Sequence, residues 1–292
     1  MRILIFGGSG MLGHTLWEHL SVCFPETFVV IRHSRETYKG FKLFEDSEHV
    51  VDNIDGMDFP IVESVLSKVK PDIILNCIGI TKRHETKNDP IASITLNSLF
   101  PHKLAKWGNN NNAKVISFST DCVFDGKSGH YTEESLTSAE DIYGKTKALG
   151  EVKIGNALTL RSSFIGPELL HGSELLEWFL AQTGTVKGFR KAIYSGLTTL
   201  ELCRVVEKII SDYPEAKGLY HVSSEPITKF DLLLLIKKKM GLSIEIIPED
   251  NFYCDRSLDS SRFRGEFNYT PPSWETMIDE LAAELKGKND DS

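Results

Sequence analysis

The chain has 292 residues, 41% of them hydrophobic and 25% charged, with a formal net charge of −8. That size suits one α/β domain with a smaller companion lobe, large enough to bury a core without a disulfide or metal staple. The acidic total excludes a general nucleic-acid binder, and no apolar run approaches the roughly 20 residues that cross a bilayer, so no membrane partner is expected.

Apolar spacing reads in chain order as follows. Arg2–Phe6 is a buried strand ending in glycines, and Met11–Leu20 has helical spacing at Leu12, Leu16 and Leu20. Phe28–Ile31 is a second strand, and Val50–Val51 with Ile54 a weak third. Phe59–Val69 is helical, Ile73–Ile78 a strongly apolar strand, Ile91–Trp107 a helix, Lys114–Phe118 a strand, Tyr143–Ile154 a helix and Ala157–Ser162 a strand. Alternating strands and helices with continuously apolar strands imply a doubly wound α/β fold, whose ligand lies beyond the carboxyl ends of the parallel strands. After Ser163 the expected elements are helices Glu168–Gln182, Thr198–Ile210, Lys229–Met240 and Ser273–Leu285, with strands Gly218–Val222 and Ser243–Ile247. A polar, frayed tail is expected from Lys286 to Ser292. Residues 1–165 and about 196–222 are assigned to a dinucleotide-binding domain, and about 166–195 and 223–292 to a smaller C-terminal substrate lobe.

No signal peptide precedes the first strand, so the expected compartment is the cytoplasm. The five cysteines are odd in number and include no C-x-x-C, which argues against a disulfide framework or zinc knuckle. The histidines show no H-x-x-x-H or H-E-x-x-H spacing, so no catalytic metal is expected. No G-x-S-x-G elbow is present.

Gly7, Gly10 and Gly13 stand between the first strand and the first helix. Gly7 allows the tight turn, Gly10 the close approach of a pyrophosphate, and Gly13 the packing of helix on strand, with the helix N-terminus facing the phosphates. This context gives a Rossmann dinucleotide site. After the second strand come Arg32, His33, Ser34 and Arg35, without a carboxylate. Cations and a hydroxyl at that place favour the 2′-phosphate of NADPH. If the two arginines are merely solvated, the preference is loose and NADH is also accepted.

Tyr143 and Lys147 form Y-x-x-x-K, which on a helix puts phenol and ammonium on one face. The ammonium would lower the phenol pKa from about 10, readying Tyr143 to donate a proton to a carbonyl as hydride arrives. The spacing alone carries little, since Tyr38 and Lys42 repeat it in a loop. The segment upstream adds weight: Ser119-Thr120-Asp121 follows a strand directly, where a doubly wound sheet presents ligand-binding groups. Thr120 offers a hydroxyl to the reacting carbonyl, or else Thr120 and Asp121 cap a turn.

Together, Gly7…Gly10…Gly13, Pro71-Asp72-Ile73-Ile74-Leu75-Asn76-Cys77, Ser119-Thr120-Asp121-Cys122-Val123-Phe124-Asp125-Gly126, Tyr143-Gly144-Lys145-Thr146-Lys147 and Arg161-Ser162-Ser163 resemble the dTDP-4-dehydrorhamnose reductase-like branch of the extended short-chain dehydrogenases/reductases. The likeness covers residues 1–165 best and returns at Gly218-Leu219-Tyr220-His221-Val222. It implies an NAD(P)-dependent oxidoreductase that reduces the C4 ketone of a nucleotide-diphospho-4-keto-6-deoxyhexose, in deoxysugar biosynthesis for surface polysaccharide. Thr120, Tyr143 and Lys147 match its catalytic residues, and Asp55 its adenine-contacting acid. The cofactor set read with this fold is Gly7, Ser9, Gly10, Met11, Leu12, Gly13, Arg32, Ser34, Arg35, Asp55, Cys77, Ile78, Gly79, Asn97, Ser119, Tyr143 and Lys147. Asp121, Cys122, Val123, Trp178 and Arg256 form the substrate set. Arg256 is preferred for the diphosphate over Lys187, Arg190, Lys191, Arg262 and Arg264, with surface solvation its alternative, and Trp178 could equally be core. A homodimer is compatible with this reading.

The chain departs from the family at Cys122, often Tyr, at Gly196-Leu197-Thr198-Thr199 and at Asp255-Arg256-Ser257. A UDP-linked N-acetylamino 4-keto sugar therefore competes as substrate. The family also includes a regulatory subunit of methionine adenosyltransferase, so a non-catalytic dinucleotide-binding role is a second reading. An epimerase or dehydratase is a third, weakened because Cys122, not Glu, follows Asp121.

Overall fold

The computed structural model describes residues 1–45, 48–82, 89–170 and 172–290, with the side chains of 288–290 excepted. Seven strands make the main sheet, in the order β10-β6-β5-β4-β1-β2-β3. They are β1 (Ile3–Phe6), β2 (Thr27–Val30), β3 (Val50–Val51), β4 (Ile73–Asn76), β5 (Lys114–Ser119), β6 (Ala157–Arg161) and β10 (Gly218–His221). The pairings of β1 with β2 and β4, of β2 with β3 and of β4 with β5 are all parallel. β1, β4, β5 and β6 are buried along their whole length. This explains their unbroken apolar character, since a parallel sheet is covered on both faces.

The chain divides into two compact units: residues 1–119, 140–160 and 203–219, and residues 120–139, 161–202 and 220–292. In the first, helices α1 (Met11–Cys23), α2 (Phe59–Val69), α3 (Pro90–Ser93), α4 (Phe100–Asn111) and α5 (Ile142–Leu149) flank the strands. Asp58 caps α2 by accepting from Ile61 N. The core of this unit packs Phe6, Val62, Leu66, Ile74, Phe100, Leu104 and Val115 together.

The expected helix over 91–107 is a composite. α3 passes into a π turn, Ile94–Leu99, before α4 resumes. Pro101, which has no N–H to give to an i−4 carbonyl, sits at the start of the resumed helix. π turns concentrate at functional sites, and this one carries Asn97. The helix expected over 143–154 stops at Leu149, and its C-cap Gly150 lies against Asn97: a Cβ there would fall 1.9 Å from the Asn97 carbonyl oxygen.

The second unit holds β7 (Phe164–Ile165), β8 (Thr185–Tyr194), β9 (Leu197–Thr198), β11 (Ile227–Thr228) and β12 (Glu245–Asp255), with α6 (Leu175–Leu180), α8 (Lys229–Met240), α9 (Ser261–Glu266) and α10 (Trp274–Asp290). α7 (Thr199–Asp212) begins in this unit and ends in the first. A three-stranded sheet runs β11-β8-β12.

Four sequence expectations change here. β8 was not foreseen: its inward positions include Gly188 and Ala192, too small to announce a strand. β12 extends well past Ile247, to Asp255. The helix expected from Glu168 begins only at Leu175, because Gly172 takes the left-handed conformation and the Glu168 carboxylate instead accepts from Glu174 N at 2.7 Å. The last helix continues to Asp290 instead of fraying at Lys286, and 291–292 lie outside the described residues. α8 matches its expected bounds, opened by Thr228 accepting from Asp231 N and closed by left-handed Gly241.

Candidate active site

In the first unit the glycine loop turns directly from β1 into α1. Gly7 has φ +81°, and a Cβ there would lie 2.9 Å from the Cys77 and Ile78 backbone. A Cβ at Gly13 would lie 2.0 Å from the Gly7 carbonyl oxygen, whereas one at Gly10 would meet only that oxygen, at 3.4 Å. Gly8, to which the sequence reading gave no task, is required as well, because a Cβ would run into the Val29 side chain at 2.1 Å. Gly10 is exposed, and no side chain caps α1. Its first-turn amides, from Met11 to Gly13, therefore keep their donors for a phosphate. Leu12 and its side chain are buried, so it can contribute only its backbone. Ser9 is half-buried beside them. These features fit a dinucleotide pyrophosphate.

At the far end of this strip the expected cations divide. Arg35 donates to the Val50 carbonyl at 2.5 Å, and its own N–H bonds the Asp52 carboxylate. Arg32 pairs with Asp55 at 3.1 Å, both side chains about half exposed, a pairing that costs little to open. The Ser34 hydroxyl makes no capping bond. The sequence immediately after the second strand holds no carboxylate, but folding brings Asp52 and Asp55 to it from beyond β3.

Tyr143 stands in the first turn of α5, which Asp141 caps by accepting from Gly144 N. Lys147 lies one turn on, and its ammonium donates to the Phe118 carbonyl at 2.6 Å. It also lies 3.8 Å from where a Gly79 Cβ would be. Burial lowers the Lys147 pKa to about 8, with Glu151 opposing the shift. The Cys77 thiol is pushed up by burial and so stays protonated, with Lys147 opposing. Lys82 sits 5.9 Å from the Tyr143 ring centre and pairs with Asp141, a cation the sequence reading did not single out.

Two members of the cofactor set do their visible bonding inside the protein. The Asn97 amide accepts from Ile80 N and donates to the Ile80 carbonyl and the Thr146 hydroxyl, which ties the 77–80 loop to α5. Ser119 donates to the buried Glu151 carboxylate at 2.7 Å.

In the second unit, Thr120 follows β5 and caps the short turn Asp121–Val123. Its Oγ1 accepts from Cys122 N at 3.1 Å and donates to the Asp121 carboxylate at 3.2 Å. Burial raises the Asp121 pKa, opposed first by Arg256. Arg256 is anchored by its Nε on the Phe124 carbonyl at 2.9 Å and reaches the Cys122 sulfur at 3.4 Å. Val123 is fully buried, and its carbonyl accepts from Ser138 and Ala139. Trp178 is 36% exposed, while Leu176 and Phe179 fill the core beside it, so it is not a core residue. Of the other diphosphate candidates, Lys187, Arg190, Arg262 and Arg264 pair with carboxylates.

The family described as RmlD substrate binding domain matches residues 1–286. The chain belongs to that family. It is similar to the dTDP-4-dehydrorhamnose reductase of Salmonella typhimurium, 25% identical over 311 residues and covering 98% of each chain. It is also similar to methionine adenosyltransferase 2 subunit beta of Mus musculus, 26% identical over 261 residues, covering 82% of this chain and 72% of that one. The crystal structure of the Bacillus anthracis dTDP-4-dehydrorhamnose reductase in complex with NADP superposes with a TM-score of 0.80 at 19% identity, covering 97% of this chain and 99% of that one. Family and fold together make this RmlD-family chain an extended short-chain dehydrogenase/reductase, an NAD(P)-dependent oxidoreductase class.

The same unit holds two RmlD-family residues that the sequence reading quoted without giving them a task, Arg161 and His221. Arg161 is 1% exposed, donates to His221 Nε2 at 3.0 Å and lies over the Phe124 ring. His221 Nδ1 donates to the Tyr131 carbonyl, and Tyr131 stacks on Phe124 at 4.1 Å. This network clamps the segment that starts at Thr120. Burial, then Arg161, lowers the His221 pKa to about 3. A neutral buried imidazole that titrates at 6.5 when unfolded makes the folded state bind fewer protons between those pH values. Stability is then full above pH 6.5 and falls as pH drops toward 3, by roughly 5 kcal/mol at the limit. Urea unfolding from pH 7 to pH 4 should show this slope, and His221→Asn should flatten it. An unchanged slope in the variant would contradict the assignment.

Proposed function

We propose that the protein reduces the C4 ketone of a nucleotide-diphospho-4-keto-6-deoxyhexose with NADPH, as dTDP-4-dehydrorhamnose reductases do, supplying a deoxysugar for surface polysaccharide from the cytoplasm. The observation that carries the reading is the Lys147 ammonium, one helical turn from Tyr143 and bonded to the Phe118 carbonyl two residues before Thr120. A lysine held this way brings its charge to the carboxyl end of β5, where a doubly wound sheet binds its ligand.

The uncapped first turn of α1 holds the pyrophosphate of the dinucleotide, and Arg32 with Ser34 its 2′-phosphate. When bound, the nicotinamide supplies hydride to the C4 carbon. Tyr143 gives its phenolic proton to the C4 oxygen, and Lys147 stabilises the phenolate left behind. Thr120 orients the same oxygen through its hydroxyl, whose proton turns from Asp121 toward the substrate. Glu151, through Ser119, and Asn97, through Ile80 and Thr146, are positioning residues. Arg256, Asp121, Cys122 and Trp178 face the sugar nucleotide.

The test is NADPH oxidation followed optically with dTDP- and UDP-linked 4-keto sugars in parallel. Turnover of the dTDP substrate supports the reading, and turnover of only the UDP-linked N-acetylamino sugar moves the substrate while keeping the chemistry. The similarity to a methionine adenosyltransferase subunit supports a second, regulatory reading. Tight dinucleotide binding without turnover of any keto sugar would favour it.

Cofactor preference has its own test. With Arg35 committed to Val50, Arg32 is the main cation left for the 2′-phosphate. Arg32→Ala should raise the Kd for NADPH about tenfold, the loss of one exposed charge-assisted contact, and leave that for NADH nearly unchanged. Equal weakening of both would show that Arg32 does not read the phosphate.

A further inference from the structure

His19 and Cys23 stand four residues apart near the end of α1, so both side chains leave one face of the helix. Glu207, on α7, meets them there. His19 Nε2 lies 2.6 Å from a Glu207 carboxylate oxygen. One nitrogen, one sulfur and one oxygen ligand atom from the three residues all lie within 4.8 Å of one another. None of the three belongs to the dinucleotide strip or to the residues assigned to the sugar.

We propose that His19, Cys23 and Glu207 bind a divalent transition metal, with Zn²⁺ the ion of best fit. The donor set makes the choice. Ca²⁺ and Mg²⁺ take oxygen ligands, whereas imidazole, thiolate and carboxylate together suit borderline-soft Zn²⁺. A tetrahedral Zn²⁺, with bonds of about 2.0 Å to nitrogen and oxygen and about 2.3 Å to sulfur, needs donors roughly 3.3–3.6 Å apart. The observed spread of up to 4.8 Å is wider than that, so binding draws the three side chains inward. Cys23 is exposed, so water completes the fourth position. The neutral thiol gives up its proton as the sulfur–metal bond forms, so one proton leaves for each ion bound. The ion would tie the carboxyl end of α1, whose amino end forms the phosphate site, to α7.

The experiment uses the full chain, freed of metal by a chelator and titrated with ZnCl₂ against a chromophoric competitor and with CoCl₂ by absorption. One ion per chain is expected, with a thiolate-to-cobalt charge-transfer band. Cys23→Ser should lose that band, and Cys23→Ser and His19→Gln should each weaken Zn²⁺ binding at least tenfold. The three side chains are at or near the surface, so the variants should keep the wild-type melting temperature in chelator and the wild-type affinity for NADPH. Absence of stoichiometric binding, wild-type affinity in either variant, or a band that survives Cys23→Ser would overturn the site. Keto-sugar activity enters none of these readouts, so this result stands apart from that of the reductase reading.

Discussion

Tyr143→Phe is expected to lower kcat for keto-sugar reduction by about 10²–10⁴-fold without abolishing NADPH binding. The substitution removes one hydroxyl and leaves the ring, so α5 and its Asp141 cap persist. What disappears is the proton that must reach the C4 oxygen as hydride arrives. That interaction exists only in the transition state, so the loss falls on kcat. Lys147 sets the accompanying pH dependence. With a pKa of about 8, it is an ammonium below that pH and increasingly neutral above it. The wild-type rate should therefore fall as pH rises past about 8. Single-turnover kinetics across pH would check both points, and an undiminished rate for Tyr143→Phe would remove the tyrosine from the chemistry.

Gly13→Ala carries the second large effect. Its Cβ would sit 2.0 Å from the Gly7 carbonyl oxygen, 2.7 Å from the Gly7 carbonyl carbon and 3.0 Å from Gly8 Cα, all backbone atoms. Gly7 has little room to retreat, because the Cys77–Ile78 backbone lies 2.9 Å from where a Gly7 Cβ would be. Either α1 or the loop must shift, a strain of about 1–3 kcal/mol, and the first-turn amides shift with it. Dinucleotide affinity should drop at least a hundredfold, about 2.7 kcal/mol, with a lower melting temperature. Gly10→Ala is the informative companion: its Cβ meets only Gly7 oxygen at 3.4 Å, so stability should hold while binding is lost to the blocked approach of the pyrophosphate. Fluorescence titration with NADPH and thermal melts of both variants separate the two causes. Wild-type binding by Gly13→Ala would refute the account of the loop.

The parts of the site legible in the sequence are those built from near neighbours. Gly7, Gly10 and Gly13 lie within two turns of chain, and Tyr143 and Lys147 within one, so spacing alone conveys their geometry. Thr120 could be found because it follows a strand, but the sequence could not say whether it caps a turn or meets a substrate. The structure shows the cap, with the hydroxyl donating to the Asp121 carboxylate. The Arg161–His221 contact spans 60 residues, Asn97–Thr146 49 and Ser119–Glu151 32. No periodic signal links such partners. β8 stayed hidden for another reason, since its buried positions include glycine and alanine and its outer face is charged.

The sequence by itself determined the parallel sheet, the glycine turn between β1 and α1 and the placing of Tyr143 and Lys147 one helical turn apart, because hydrophobic period, glycine stereochemistry and helical pitch act over a few residues. Only the tertiary structure decided that Arg35 bonds Val50, that Arg32 faces Asp55, that Arg256 is anchored on Phe124, and that Glu207 meets His19 from 188 residues away, beside Cys23. Those outcomes depend on which side chains arrive together when distant segments pack, and charge pairing and burial then fix their partners.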